Sequence, residues 1–206
     1  MFRGIRGRGL RRRSILLAAL LLGGLALPAG ALEVYDFDVA HSGPSFAVKH
    51  LFTMVHGRFS DFKGVLQYDP QKPEASTVEV TIQAASISTE NDRRDAHLRS
   101  GDFFDTEKFP TITFKSTKIE PAKERNHFNV TGDLTIRGVT KPVVLDVEAL
   151  GFGNTDMGFR GGFNVTATIN RLDYGVSWNK TLETGGLLLG NDVKIDFPVA
   201  VVRRTE

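Results

Sequence analysis

The chain has 206 residues, with 26 Lys+Arg against 24 Asp+Glu and no Cys. The missing Cys excludes disulfides, thiol catalysis and Cys-ligated metal. Six of the basic residues lie before Ser14, so residues 32–206 carry 20 basic and 24 acidic groups, a net charge of −4, which takes the support from a nucleic-acid-binding reading.

Met1 to Ser14 holds six arginines and no acid, and Ile15 to Leu27 is an apolar run. That run is short of the ~20 residues needed to span a bilayer. Ala29-Gly30-Ala31 then offers small residues at both recognition positions of a signal cleavage site. Residues 1–31 read as a cleaved export signal. Arg12-Arg13 leaves Sec and Tat export both open. With no Cys to follow the apolar run, a lipoprotein anchor is excluded. Residues 32–206 are most simply one domain.

Val34 to Phe52 opens extended, with Phe46, Val48 and His50 alternating with Ser45, Ala47 and Lys49. Pro44 marks an edge or a bend. Val55 to Tyr68 predicts a second strand interrupted by Gly57 and Gly64, positions that suit bulges or the sharp curvature of a closing barrel. Asp69 to Pro73 is a loop. Thr77 to Ala84 places Val78, Val80, Ile82 and Ala84 on one face.

The period changes at Asn91 to Asp105. This stretch is polar apart from Ala96, Leu98 and the pair Phe103-Phe104, and Thr89 or Asn91 offers an N-cap. It predicts a short helix with a greasy end, stopped by Lys108-Phe109-Pro110.

Thr111 to Ile119 is a strand, with Ile112 and Phe114 on one face. Next, Phe128, Val130, Gly132, Leu134 and Ile136 alternate with polar residues, and Val143, Leu145, Val147 and Ala149 repeat the pattern. Gly138 to Pro142 reads as the connection between them, with Pro142 at a strand start. Gly151 to Asp156 reads as a loop. Gly158 to Asn170 is a strand with Phe163, Val165, Ala167 and Ile169 on one face. Leu172 to Asn191 is a long connection holding Trp178, of the kind that caps or functions. Val193, Ile195, Phe197 and Val199 line the last strand.

The pattern predicts an all-β fold: an extended, eight-stranded antiparallel barrel with a short helical insert. A sandwich uses the same alternation, but long, evenly spaced strands with mid-strand glycines favour the barrel. A transmembrane barrel would need Tyr and Trp girdles, and the chain has three Tyr and one Trp.

Of its 15 Phe, Phe46, Phe114, Phe128, Phe163 and Phe197 take apolar-face positions. They fill a core or line a lumen, and an apolar lumen suits a prenyl or acyl tail. The lining candidates are Phe46, Val48 and His50 on the first extended segment, Val80 and Ile82 on the next, and Phe114. Phe128, Leu134 and Ile136 join them from the central hairpin, with Phe163, Val165 and Ile169 beyond it. His97, Leu98, Phe103 and Phe104 complete the set from the helical insert. Arg94, Asp95, His97 and Arg99 form either a polar lid over a head group or a hydrogen-bonded plug. His41, His50, His56, His97 and His127 show no metal-helix spacing. His41, His50 or His97 would serve as acid–base groups in the rival reading, an enzyme acting on a lipid. No nucleophile elbow or phosphate loop is present.

Several stretches together resemble the YceI-like family of exported proteins. They are Asp38-Val39-Ala40-His41-Ser42, Phe46 to Leu51, Gly57-Arg58-Phe59, Phe62-Lys63-Gly64 and Ser86 to Thr89. Arg94 to Ser100, Asp102 to Asp105, Phe109-Pro110 and Gly132 to Val143 complete the match. The resemblance implies a lipocalin-like barrel in the bacterial periplasm that binds a polyisoprenoid, such as an isoprenoid quinone, or a related amphiphile. It implies no catalytic residue, no metal and no cofactor beyond the bound isoprenoid lipid. The expected partners are that lipid or quinone and a transiently touched membrane, with no nucleic acid. A homodimer is compatible with the sequence.

Overall fold

The computed structural model describes residues 32–183 and 185–205. The expected export signal, residues 1–31, lies outside the described residues. Among the described residues the strands are β1 Glu33–Phe37, β2 Ser45–His50, β3 Thr53–Phe59, β4 Phe62–Tyr68, β5 Thr77–Gln83 and β6 Ile87–Ser88. They continue with β7 Thr111–Pro121, β8 His127–Ile136, β9 Val139–Thr155, β10 Gly158–Asn170 and β11 Leu189–Arg203. One α-helix, α1, spans Asp92–Arg99.

Pairing reduces these strands to eight staves. Both β1 and β2 lie along β11, with Tyr35 opposite Arg203 and Phe46 opposite Ile195, so they form one bent stave. The next stave is β3 with β4, which pair with β2 and β1 respectively. The third is β5 with β6, which pair with β4 and β3. The staves β7 to β11 then follow in chain order, all antiparallel, and β11 returns to β1. Closure leaves the main wall without an open sheet edge.

Serine hydroxyls repair the ladder where a stave is interrupted. Between β1 and β2, Ser42 Oγ accepts from Ala200 N at 2.9 Å. Between β5 and β6, Ser86 Oγ accepts from Asp61 N at 3.1 Å and donates to Gln83 O at 2.7 Å. Beside a bulge in β7, Ser116 Oγ accepts from Val78 N at 2.9 Å. A buried backbone group needs a partner, and a short hydroxyl side chain supplies one locally.

The glycines of the second stave do something other than bulge. Its break falls at Ser60 and Asp61, and β2 pairs with β3 in unbroken register from Ser45–Arg58 to His50–Thr53. Gly57 lies opposite Phe46, and a Cβ there would run into the Phe46 ring; at Gly64 a Cβ would stand 2.6 Å from the ring of Phe37. Each glycine is a seat for an aromatic ring from the neighbouring stave.

Two connections are shorter than the sequence suggests. Arg137 (φ 50°) and Gly138 (φ 74°) form the whole β8–β9 turn, and Ile136 pairs directly with Val139. Positive φ at both central residues is the twist-matched two-residue hairpin turn. Pro142 therefore lies within β9, opposite Asp133. It is tolerated because the β9–β10 ladder ends at Asp146, so no ladder hydrogen bond is asked of the Pro142 nitrogen. The segment Gly151 to Asp156, expected as a loop, is strand through Thr155. Its alternation is masked by a register shift beside Gly162 and Phe163, which moves Phe152 into phase with the inner face.

The apolar face of the staves points inward. Outside, Lys115 meets Glu79 at 2.7 Å and Lys118 meets Glu120 at 2.7 Å. This is the reverse of a transmembrane barrel, whose lumen is polar and whose wall is greasy.

Candidate functional site

The barrel encloses a cavity of about 450 Å³. That size falls within the range of small-molecule sites. Every lining candidate named from the sequence lies on this one wall: Phe46, Val48 and His50 from β2, Val80 and Ile82 from β5, and Phe114 from β7. Phe128, Leu134 and Ile136 come from β8, and Phe163, Val165 and Ile169 from β10. His97 and Leu98 reach it from α1, and Phe103 and Phe104 from the segment after it.

The staves present these side chains because alternation in a strand sends every second residue to one face. Glycine seats then decide how much room is left. The ring of Phe114 lies over Gly132, and that of Phe152 over Gly161. Rings laid against the wall do not stand up into the lumen.

The two ends differ. One is aromatic: Tyr68 stacks on Phe152 with centroids 4.8 Å apart, and Tyr35 lies 5.5 Å from Phe152. Burial pushes both phenols to higher pKa, with Glu33 adding to the effect, so they stay neutral.

The other end is closed by α1. Asn91 caps the helix, its side chain accepting from Arg94 N at 3.0 Å. Buried Thr89 is the hub. Its N–H donates to Asp95 Oδ1 at 2.9 Å, its hydroxyl donates to the same oxygen, and Arg94 Nε donates to the Thr89 hydroxyl at 2.7 Å. Arg99 Nε and Nη2 donate to Ala85 O and Ile87 O at 2.7 and 2.8 Å. These contacts build a hydrogen-bonded plug. Asp95 and Arg94 meet through Thr89 rather than by pairing with each other.

His97, Phe103 and Trp178 form an aromatic corner beside the plug, with centroid separations of 4.9 to 5.3 Å. His97 Nε2 lies 2.9 Å from Asp102 Oδ2. His41 sits on the outer wall, 62% exposed, bonded to Asp38. His50, His97 and His41 thus fall on three separate elements. Among the described residues no group of three or more His, Asp or Glu is placed to hold a metal ion.

Sequence reasoning missed part of the wall. Phe152 was hidden by the phase slip in β9. Phe37 and Phe59 sit beside stave breaks. Tyr174, Arg171 and Trp178 come from the long connection, which opens with a 3-10 turn at Arg171–Tyr174. Its Asn170 cap and the Gly175 that ends it were the available signals.

An antiparallel barrel closed around an apolar lumen, with a polar plug at one end, is a β-barrel of lipocalin type. The YceI-like domain model matches residues 35–201, and the chain belongs to that family. A UPF0312 protein of Staphylococcus aureus strain bovine RF122 is 42% identical over 165 residues, covering 79% of this chain and 93% of that one. The crystal structure of Burkholderia cenocepacia BcnA superposes with a TM-score of 0.71 at 27% identity, covering 80% of this chain and 98% of that one. A polyisoprenoid-binding domain from Saccharophagus degradans, implicated in plant cell wall breakdown, shares the fold with a TM-score of 0.61 at 17% identity, over 84% and 99% of the two chains.

Proposed function

We propose that this protein holds a long isoprenoid chain, carried by an isoprenoid quinone or a similar amphiphile, in the barrel lumen for storage or transport. The apolar lumen carries the reading. It spans the barrel from Tyr68 to His97 and is walled mostly by Phe, Val, Leu and Ile. Moving each methylene from water into it gains roughly 0.8 kcal/mol. A bilayer offers the tail about the same, so exchange with a membrane is nearly balanced. That suits a carrier which loads and unloads. The Saccharophagus degradans neighbour is a polyisoprenoid-binding domain, which supports an isoprenoid tail as the occupant.

An exported, periplasmic location belongs to the same proposal, supported by the arginine-rich and apolar composition of residues 1–31. Membrane contact is supported by the β2–β3 turn. Phe52 at its tip is 95% exposed, and Met54 and Leu187 nearby are exposed too.

Mass spectrometry of an organic extract tests the reading. Protein purified from the periplasm without detergent should yield a stoichiometric prenylated compound. An extract with no enriched lipid, from protein that also takes up no added isoprenoid quinone, overturns it.

A further inference from the structure

The lumen wall carries a hydroxyl that the fold leaves without a partner. Among the described residues, the buried side-chain polar atoms lacking a hydrogen bond are Tyr174 Oη and Arg160 Nε. Of these two residues, Tyr174 lies on the lumen wall. It is 1% exposed and packs in the apolar cluster of Ile87, Ile112, Leu134 and Ile136. A phenylalanine would pack there without stranding a hydroxyl, so the oxygen needs a reason.

The surrounding turn is held firmly. Asn170 caps it, its side chain accepting from Leu172 N at 3.0 Å, and Gly175 closes it in the left-handed region at φ 71°. Arg137 donates to Gly175 O and to Gly101 O, both at 2.7 Å, which ties the turn to the segment after α1. The turn that carries the orphan hydroxyl is therefore fixed in place at the plugged end of the lumen.

The cations beside it are already committed. Buried Arg171 donates Nε to Gly190 O at 2.8 Å and Nη1 to Val176 O and Trp178 O. Arg94 gives Nε and Nη2 to Thr89. A phosphate or diphosphate head would need several free charged donors in so apolar a setting. What this end offers instead is one neutral O–H. Burial, and then Asp173, push the phenol to higher pKa, which keeps the proton on Oη.

We infer that Tyr174 is the head-group residue of the lumen. Its hydroxyl donates to a carbonyl oxygen on the ligand, which places the head at the plugged end and runs the tail toward Tyr68 and Phe152. The inference rests on the lipid-holding reading and adds orientation and head-group class to it. A quinone ring and an acyl ester both supply such an oxygen; an isoprenoid hydrocarbon supplies none.

The test compares the full domain with its Tyr174→Phe variant on four probes: an isoprenoid quinone, a long-chain fatty acid methyl ester, a polyprenol and squalene. The variant should keep or raise its melting temperature without ligand, because it removes only an unpartnered hydroxyl. Affinity for the quinone, the ester or both should fall about 3- to 10-fold, the size of one neutral hydrogen bond, while squalene binding stays unchanged. In the wild type the infrared carbonyl band of the bound probe should sit below its frequency in hydrocarbon solvent, and it should move back in the variant. A loss confined to one carbonyl probe identifies the source of the head group. Equal affinity of both proteins for both carbonyl probes, with an unshifted band, overturns the assignment. So does an equal loss for polyprenol, which would mean that the site reads any oxygen. Wild-type protein that binds none of the four defeats the lipid-holding reading itself, a separate outcome.

Discussion

Phe46 and Gly57 face each other directly across β2 and β3, and the Phe46 ring occupies the space that a Cβ at Gly57 would fill. The pair shows how the barrel keeps both a closed wall and an open lumen. A ring laid on a glycine adds apolar lining without adding bulk at the centre. Gly57→Ala should destabilise the domain by roughly 1–3 kcal/mol through overpacking. Phe46→Leu in the same chain should return part of that loss. A double-mutant cycle by urea unfolding checks it, and purely additive effects would show that the two residues are uncoupled.

Phe128 and Tyr35 separate lumen wall from packed core. Tyr35 is fully buried in a tight cluster with Phe62 and Val201, whereas Phe128 is only partly buried and borders the cavity. Tyr35→Ala should cost about 3–5 kcal/mol. Phe128→Ala should cost clearly less and should weaken ligand binding. Equal stability losses measured by denaturant unfolding would mean that the lumen is packed like a core.

Most of the fold was legible because one signal, period-2 alternation, is both strong and local. It placed β5, β8, β10 and the end of β11, and the face it marked is the face that lines the cavity. The failures have one physical origin. Where a bulge slips the phase, as beside Phe163, alternation stops reporting which side is inside, and Phe152 went unread. Pro142 was placed by its usual strand-end preference, while the deciding fact was how far β10 extends along β9, a tertiary matter. The part of the site hardest to read, Tyr174 with Arg171, lies on an irregular turn where no period exists.

Asp38 joins the break in the first stave to β10 by pairing with Arg160. Burial opposes its charge, but hydrogen bonds from His41 and Arg160 outweigh that and hold the carboxyl below its ordinary pKa. A carboxyl whose pKa is lower in the folded state adds stability above its unfolded value of about 3.9, and loses it as pH falls through the folded value. Asp38→Asn should therefore cost about 1.5–3 kcal/mol at pH 7, the range for a hydrogen bond to a charged group. The gap between variant and wild type should close as the pH falls below about 4. Urea midpoints at pH 7 and pH 3 give the comparison, and a gap of constant size would exclude the pair as its source.

Phe52 bears on loading. It stands at the tip of the β2–β3 turn, next to Leu51, whose φ of 53° is unusual for a branched residue. Leu51 N donates to Leu188 O at 2.9 Å, so the turn is fastened to the long connection that also contributes Trp178 to the lumen wall. An exposed aromatic held this firmly contributes nothing to the core. Phe52→Ser should leave folding stability within about 0.5 kcal/mol. If the tip enters the bilayer, however, burying the ring there gains roughly 1.5–3 kcal/mol, and its loss should cut the membrane-bound fraction about tenfold or more. Uptake of a fluorescent prenyl lipid from vesicles should slow in proportion, while equilibrium affinity for lipid delivered from solvent stays the same. Stopped-flow transfer measures the first and titration the second. Wild-type transfer rates in Phe52→Ser would remove the tip from the loading route.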